Sequence, residues 1–403
     1  MAQLLWGNVF YKEYFAGILR EEQGGRTSFT YDDSYLGAGH PSISHTLPNS
    51  SKQHLCTTGL HPFFDNLVAE GWLEGAQTRL LGKRSISRFE LLLAFGQDCA
   101  GAVFVIDPEP VGLTKDLLDM NDPKELAVMT GRASLSGIQP KLTLIERDGA
   151  LYPTKIGEIS SHIAKFSSPH HNDLVVNEYL TTIGFKALLP DDDVVDLRIG
   201  EVKNFTEAAL IIKRFDRDDK GNRIHFEEFN QLLGHMSNNK YDGSHKDMAD
   251  FISNTKNCLP AENYRLYLRI LAGLLLGNTD MHFKNFAMFY TDSGLRLTPS
   301  YDQVAAAIYQ YKTIALSINN ASNLNINALN PANLIKLGEE FKLNQAAINM
   351  AINYLAKNLE AAKQSIFQSS IGNDEFKNQL INMIGKRWNG TFTLIGQQLL
   401  KKR

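Results

Sequence analysis

The alternation of apolar and polar positions changes character along this chain. Up to about residue 105, short apolar stretches are separated by Gly, Pro and Asn, the punctuation of strands and turns. FTYDDSYL and SISHTLP read as strand pieces, and AGAVFVIDPEP as a strand stopped by prolines. HPFFDNLVAEGWLEGAQTRLL carries apolar residues at helical spacing. From about 106 to 217 the pattern is mixed. KLTLIE and LYPTKIG flank RDGA, which predicts a hairpin with Asp-Gly at its turn. HIAKF is a short apolar strand with one lysine, LVVNEYLTTIGF an amphipathic helix, and VVDLRIGEV and ALIIKRFDR two further strands. After about 218 the pattern is mostly helical, with the Asn-rich INNASNLNINALNPAN as a surface loop entering a helix. The order predicts an α+β chain in three parts: a β-rich segment 1–105, a mixed segment 106–217 and a helical segment 218–403.

With 403 residues the chain can form two or three cores. Its 41 basic and 44 acidic residues, a net charge of −3, give no electrostatic footprint for autonomous nucleic-acid binding. Cys56, Cys99 and Cys258 lie far apart, which fits reduced thiols in a cytoplasmic protein, and no spacing resembles a zinc site. The adjacent His170 and His171 lack the partners that a full metal site needs. No basic region precedes an apolar core at the N-terminus, so a signal peptide is not expected. The longest apolar run contains Arg269 and is too short for a membrane span.

Candidate chemistry concentrates in NTDMHFKNFAMFY, residues 278–290, behind the apolar run LYLRILAGLLL. Gly277-Asn278 is a good helix stop. Asp280 and Asn285 have the D-x-x-x-x-N spacing of a kinase catalytic loop, in which the Asp receives the acceptor proton and the Asn holds magnesium. The bland alternative is a helix cap followed by a polar loop. NFAMFY, TDSG and LRLTP then predict a hairpin, and SYDQV places Asp302 directly after it, where a second magnesium carboxylate would stand. Asp302 could instead cap a helix QVAAAIY.

Lys165 in HIAKF resembles the strand lysine that contacts nucleotide phosphates, and Glu178 in VVNEYL the helix glutamate that orients it. The alternatives are an edge-strand lysine and a solvated helix face. RASLSGIQPKLTLIE supplies Ser134, Ser136 and Gly137 ahead of a strand, small residues that let backbone N–H groups approach phosphate, or else shape a generic turn. IIKRFDR ends a strand where a hinge would present the backbone of Lys213 and Phe215 to adenine.

SLSGIQPK, HIAKF, NEYL, KRFDR, TDMHFKNFAMF and LTPSYDQV occur in the order found in the HipA family, serine/threonine kinase toxins of bacterial toxin–antitoxin modules. GILREEQGGRTSFTYDDSYL and HPFFDNLVAEG resemble that family's N-terminal subdomain, so the resemblance covers nearly the whole chain. It implies a two-lobed protein-kinase-like fold with an added N-terminal β-rich subdomain and a mostly helical C-terminal lobe. It implies ATP and magnesium as cofactors, Lys165 on ATP phosphate, Asp280 as catalytic base, and Asn285 and Asp302 on the metal. It further implies adenine contacts at Lys213 and Phe215, and autophosphorylation of Ser134 or Ser136. The implied partners are a small DNA-binding antitoxin, through which DNA is contacted indirectly, and an aminoacyl-tRNA synthetase as substrate.

Two departures stand out. Ala69 precedes Glu70-Gly71, where the family commonly has Pro. The loop SLS matches the branch whose N-terminal subdomain is a separate protein, whereas here that subdomain is fused, which leaves the synthetase open. Within enzymes the competing reading is a small-molecule kinase, against which the N-terminal segment argues. Outside them it is a pseudokinase that binds antitoxin and nucleotide, against which the joint presence of Lys165, Asp280, Asn285 and Asp302 argues.

Overall fold

The computed structural model describes residues 4–82, 86–110, 124–125, 127–128, 134–135, 139–167, 171 and 173–401. The chain folds as mixed α and β in two compact units. The first holds residues 1–172 and 196–239; the second holds 173–195 and 240–403.

In the first unit, strands β1 (Trp6–Tyr11), β2 (Tyr14–Glu22), β3 (Arg26–Tyr31), β4 (Gln53–Cys56) and β5 (Val103–Ile106) form an antiparallel sheet in the order β4-β3-β2-β1-β5. A second sheet contains β6 (Lys141–Arg147), β7 (Ala150–Pro153), β8 (His162–Lys165), β9 (Leu197–Gly200) and β10 (Ala209–Lys213), in the order β7-β6-β8-β10-β9. The Asp-Gly turn forms as the sequence predicts: Asp148 and Gly149 both have positive φ, 49° and 74°, and Arg147 pairs with Ala150. One hydrophobic core runs through both sheets, from Val9, Phe29 and Phe64 to Leu144, Ala164 and Ile211.

Three expectations for the N-terminal segment change. DSYL is not strand but a short helix, Asp33–Gly37, because the Asp32 side chain accepts the Ser34 N–H and caps it. SISHTLP keeps only an isolated Ser44–Leu47 bridge, because the buried Glu227 carboxylate takes the Ser44 hydroxyl at 2.6 Å and the His45 N–H at 2.8 Å. The helical stretch after His61 divides into Pro62–Asp65 and Gly71–Leu81, Gly71 breaking it with φ of 62°.

A buried ion cluster anchors the exit of β10 to the segment before β5. Asp98 accepts from Arg217 at 2.8 Å and from the Ser160 hydroxyl at 2.6 Å, and Arg214 lies 3.3 Å away. Asp216 accepts from Arg214 at 2.6 Å, Arg217 at 2.9 Å and the Gly101 N–H at 2.8 Å. Burial pushes the Asp98 carboxyl up, but Arg214, Arg217 and Arg223 outweigh it and hold it below the usual carboxylate range.

The second unit is mostly helical, with helices Leu174–Leu188, His245–Asn254, Ala261–Leu276, Pro331–Glu340, Gln345–Gln368, Asp374–Arg387 and Thr393–Lys401, and a hairpin of β12 (Ala287–Thr291) and β13 (Gly294–Leu297). β11 (Phe226–Glu228) belongs to the first unit. Leu174–Leu188 packs closely on Gln345–Gln368: a Cβ at Gly184 would stand 2.8 Å from Ile366 Cδ1. The Asn-rich stretch enters Pro331–Glu340 through an Asn330/Asn333 capping box, as expected. Arg269, the charge inside the apolar run, is buried and forks onto Asp192 at 2.5 and 2.8 Å, with Thr298 O at 2.7 Å. Among the described residues no helix is long and apolar enough to cross a membrane.

Asp98→Ala should cost about 3–5 kcal/mol, because it leaves an excess of buried guanidinium groups. A lowered urea midpoint is the expected readout, and an unchanged one would show that the cluster carries no stability. The depressed Asp98 pKa makes its contribution complete above about pH 4 and lost as pH falls through the folded value. The wild-type protein should therefore lose stability in acid more steeply than the variant.

Candidate active site

Helix Ala261–Leu276 is almost wholly buried and stops abruptly at Gly277, whose φ of 88° only glycine adopts without strain. A Cβ there would also meet Met383 Cε at 2.6 Å. The Asn278 N–H returns to Gly273 O at 2.8 Å, which closes the cap and throws Asp280 forward. A 3-10 turn, Phe283–Asn285, follows, capped by His282, whose Nδ1 accepts the Lys284 N–H at 3.3 Å. His282, Lys284 and Asn285 are all buried.

The Asn285 side-chain amide donates to Asp280 O at 2.7 Å. That bond uses the nitrogen end and turns the oxygen end away, where it can face a cation. After the hairpin, Asp302 sits at φ of 57°, a left-handed conformation that a non-glycine residue holds only when its surroundings fix it. They do so on both sides. Tyr301 donates its hydroxyl to Lys284 O at 2.8 Å, and Gln303 donates to Tyr301 O at 3.1 Å while accepting from Asn278 at 3.2 Å. Downstream, the Asn177 amide takes both backbone groups of Ala305, its oxygen 2.9 Å from the N–H and its nitrogen 3.3 Å from the carbonyl.

The segment after Asp302 is therefore not the α-helix that QVAAAIY suggests. Only a 3-10 turn, Ala306–Tyr309, forms, with Ala305 at its N-cap. The left-handed residue aims the carboxylate back toward the loop, and it is felt there: loss of water among crowding protein groups and the charge of Asp302 raise Asp280 to about 6. Asp280 is nonetheless exposed as a residue, so its crowding and its access to solvent coexist. Asp280, Asn285 and Asp302 thus share one place, with a carboxylate able to accept a proton beside two oxygen donors.

Glu178, one residue after Asn177, is only 1% exposed, which removes the solvated-face alternative. In the first unit, Lys165 is 7% exposed on β8, the middle strand of its sheet, which removes the edge-strand alternative. Directly opposite on β6 lies Lys141, equally buried and on the same face. Its position in IQPKLT was visible, but only the register pairs the two lysines. Ser134 is buried at 3% exposure, with its N–H 3.4 Å from Asp98 O. Ser136 and Gly137 lie outside the described residues.

At the exit of β10, the Lys213 N–H is taken by Asp196 O at 2.9 Å and its side chain reaches Asp219 at 2.8 Å. Phe215 is half-buried against Phe226, ring centroids 5.0 Å apart. Among the described residues no group of three or more His, Cys, Asp or Glu forms a metal cage.

Residues 133–363 match the model of the HipA-like C-terminal domain, and residues 7–106 that of the HipA N-terminal domain. The serine/threonine-protein kinase toxin HipA of Shewanella oneidensis is 30% identical over 315 residues, 70% of each chain. The protein Y4dM of Sinorhizobium fredii is 28% identical over 347 residues, 81% of this chain and 83% of that one. The solved HipA chain in the Shewanella oneidensis HipA, HipB and operator DNA complex has a TM-score of 0.71 at 23% identity, covering 96% of this chain and 99% of that chain.

Asn177→Leu keeps the branching and heavy-atom count of the side chain, though not its volume, and strands two buried backbone groups, each worth about 1–3 kcal/mol. A denaturant titration should show that loss. An unchanged midpoint would mean that Ala305 is held by something else.

Proposed function

This chain belongs to the HipA family of kinases, and from that premise we propose that it is an ATP-dependent serine/threonine protein kinase toxin. The observation that carries the reading is the shared placement of Asp280, Asn285 and Asp302 behind one buried helix. Asp280 is the base: its carboxyl, raised to about 6, receives the proton of an acceptor hydroxyl. The Asn285 oxygen and the Asp302 carboxylate hold magnesium. Magnesium, when bound, neutralises charge on the transferring phosphate. Lys165 and Glu178 keep the roles that their motifs imply, with Lys141 adding a second cation on the same face as Lys165. The adenine contacts are placed at the backbone of Lys213 and Phe215 on the family resemblance, with the Lys213 N–H donating to Asp196 O in this structure.

The substrate we propose is an aminoacyl-tRNA synthetase, on the family resemblance alone. The partner is a small DNA-binding antitoxin, supported by the net charge of −3, which leaves DNA to a second protein, and by the HipA, HipB and operator DNA complex of the Shewanella relative. The working division of the chain is an N-terminal subdomain 1–105, a nucleotide segment 106–217 and a helical segment 218–403. The work of the chain belongs in the cytoplasm.

Asp280→Asn should lower transfer from ATP to a panel of purified synthetases by about 10²- to 10⁴-fold, with ATP binding retained. Expression of the unsubstituted chain alone should arrest bacterial growth, and the same substitution should abolish the arrest. Full transfer by the variant would remove Asp280 as base, and equal arrest by both would remove kinase activity as its cause.

Self-phosphorylation falls on Ser134 first and Ser136 second. Ser134 is buried, so a phosphate of about −1.5 to −2 charge units there cannot be held where the Ser134 side chain now lies. Mass spectrometry should find phosphate in the unsubstituted protein and not in Asp280→Asn, with weaker nucleotide binding by the modified form. Equal phosphate in both proteins would exclude self-modification.

A further inference from the structure

The oxygen of Asp280 that would receive an acceptor proton already has a partner. Tyr241 lies between the 3-10 turn Ser237–Asn239 and helix His245–Asn254, and its hydroxyl donates to Asp280 Oδ1 at 3.1 Å. The contact is built from both sides. Phe283 N–H donates to Lys240 O at 3.2 Å, tying the residue before Tyr241 to the Asp280 loop. Ser317 donates to Gly243 O from its N–H at 3.0 Å and its hydroxyl at 3.1 Å, fixing the segment just beyond. Gly243 presses so closely on Phe283 that a Cβ would stand 2.5 Å from the ring. The Tyr241 ring meets the His282 ring edge-on, centroids 5.0 Å apart, and yet remains 42% exposed.

Packing alone does not account for this arrangement. The ring is too exposed to gain much from burial, while its hydroxyl makes the kind of bond that a serine or threonine hydroxyl must make before transfer. We propose that Tyr241 is the placeholder for the acceptor: its phenol caps Asp280 until a substrate hydroxyl displaces it, and the cap keeps water from using the base. The proposal rests on the kinase reading above. In transfer, the acceptor oxygen bonds to the γ-phosphorus of ATP, the bond from that phosphorus to the β,γ-bridging oxygen breaks, ADP leaves, and the acceptor proton passes to Asp280. If water enters instead, the same exchange yields ADP and inorganic phosphate without product. A phenol in place of that water suppresses the leak, and an incoming substrate must present a hydroxyl that can take over its bond.

Tyr241→Phe removes only the hydroxyl from a solvent-exposed ring. Full-length protein with magnesium and ATP, and no protein acceptor, is assayed for ADP formed together with inorganic phosphate, so that self-phosphorylation is not counted. The variant should release ADP about two- to tenfold faster, the equilibrium worth of one hydrogen bond. The double variant Tyr241→Phe, Asp280→Asn should fall to background. A merely structural tyrosine would not raise acceptor-free turnover. An unchanged rate in Tyr241→Phe overturns the proposal, as does a raised rate that survives in the double variant. Phosphate found on Tyr241 of the unsubstituted protein overturns it too, since the phenol would then be an acceptor. Asp280→Asn with labelled ATP separates the two levels. If self-labelling is lost in Asp280→Asn but Tyr241→Phe leaves ADP formation unchanged, Tyr241 alone is misread. If self-labelling persists in Asp280→Asn, the base reading fails and the placeholder fails with it.

Discussion

Asp302 raises the charge cost of Asp280, so two carboxylates that repel must be kept at one place by everything around them. The second unit supplies that restraint through its backbone. Gly277 ends the helix in a conformation closed to other residues, Asn278 reaches Gln303, Tyr301 reaches Lys284 O, and Asn177 grips Ala305 from a separate helix. These bonds act through backbone groups and neighbouring residues, so the positions of both acids are set from around them.

The first unit separates holding from acting. Lys141 and Lys165 stand opposite one another on one face of the sheet, a placement that costs energy between like charges and raises the local attraction for an anion. The strand after β8, β10, leads at its exit into the Arg214–Asp216–Arg217 cluster, whose charges are almost completely internal. Those arginines are consumed in fastening β10 to residues 98–101. KRFDR therefore joins two functions in one motif. Its first and third residues, Lys213 and Phe215, remain at or near the surface, and its second, fourth and fifth go inside.

Much of this was legible before any coordinate. The hairpins at Asp148-Gly149 and at residues 287–297 follow from turn chemistry and alternation, and the helix stop at Gly277 from its glycine. That Asp280 and Asn285 lie together was legible from their spacing, because only a short turn separates them. Two of the misreadings share a cause: a side chain distant in sequence took over a local preference. Glu227 holds SISHTLP out of a sheet, and Asn177 holds Ala305 out of a helix. Tyr241 and Lys141 were invisible as site residues because their relevance exists only through Asp280 and Lys165, which tertiary pairing brings to them.

The arrangement also bears on whether such a chain could be merely a binder. A binding protein gains nothing from an aspartate at φ of 57° beside another acid, and both features lower its stability. Mutations that relieve such costs are easy to find, because most proteins lie far from their stability optimum. Asp302→Gly would relax the backbone and remove the repulsion in one step. On the kinase reading proposed above, the left-handed Asp302 and its charge beside Asp280 are therefore better explained by use than by neglect. The buried ion cluster is a different case: it is costly only when broken, so it supports the scaffold and says nothing about the reaction.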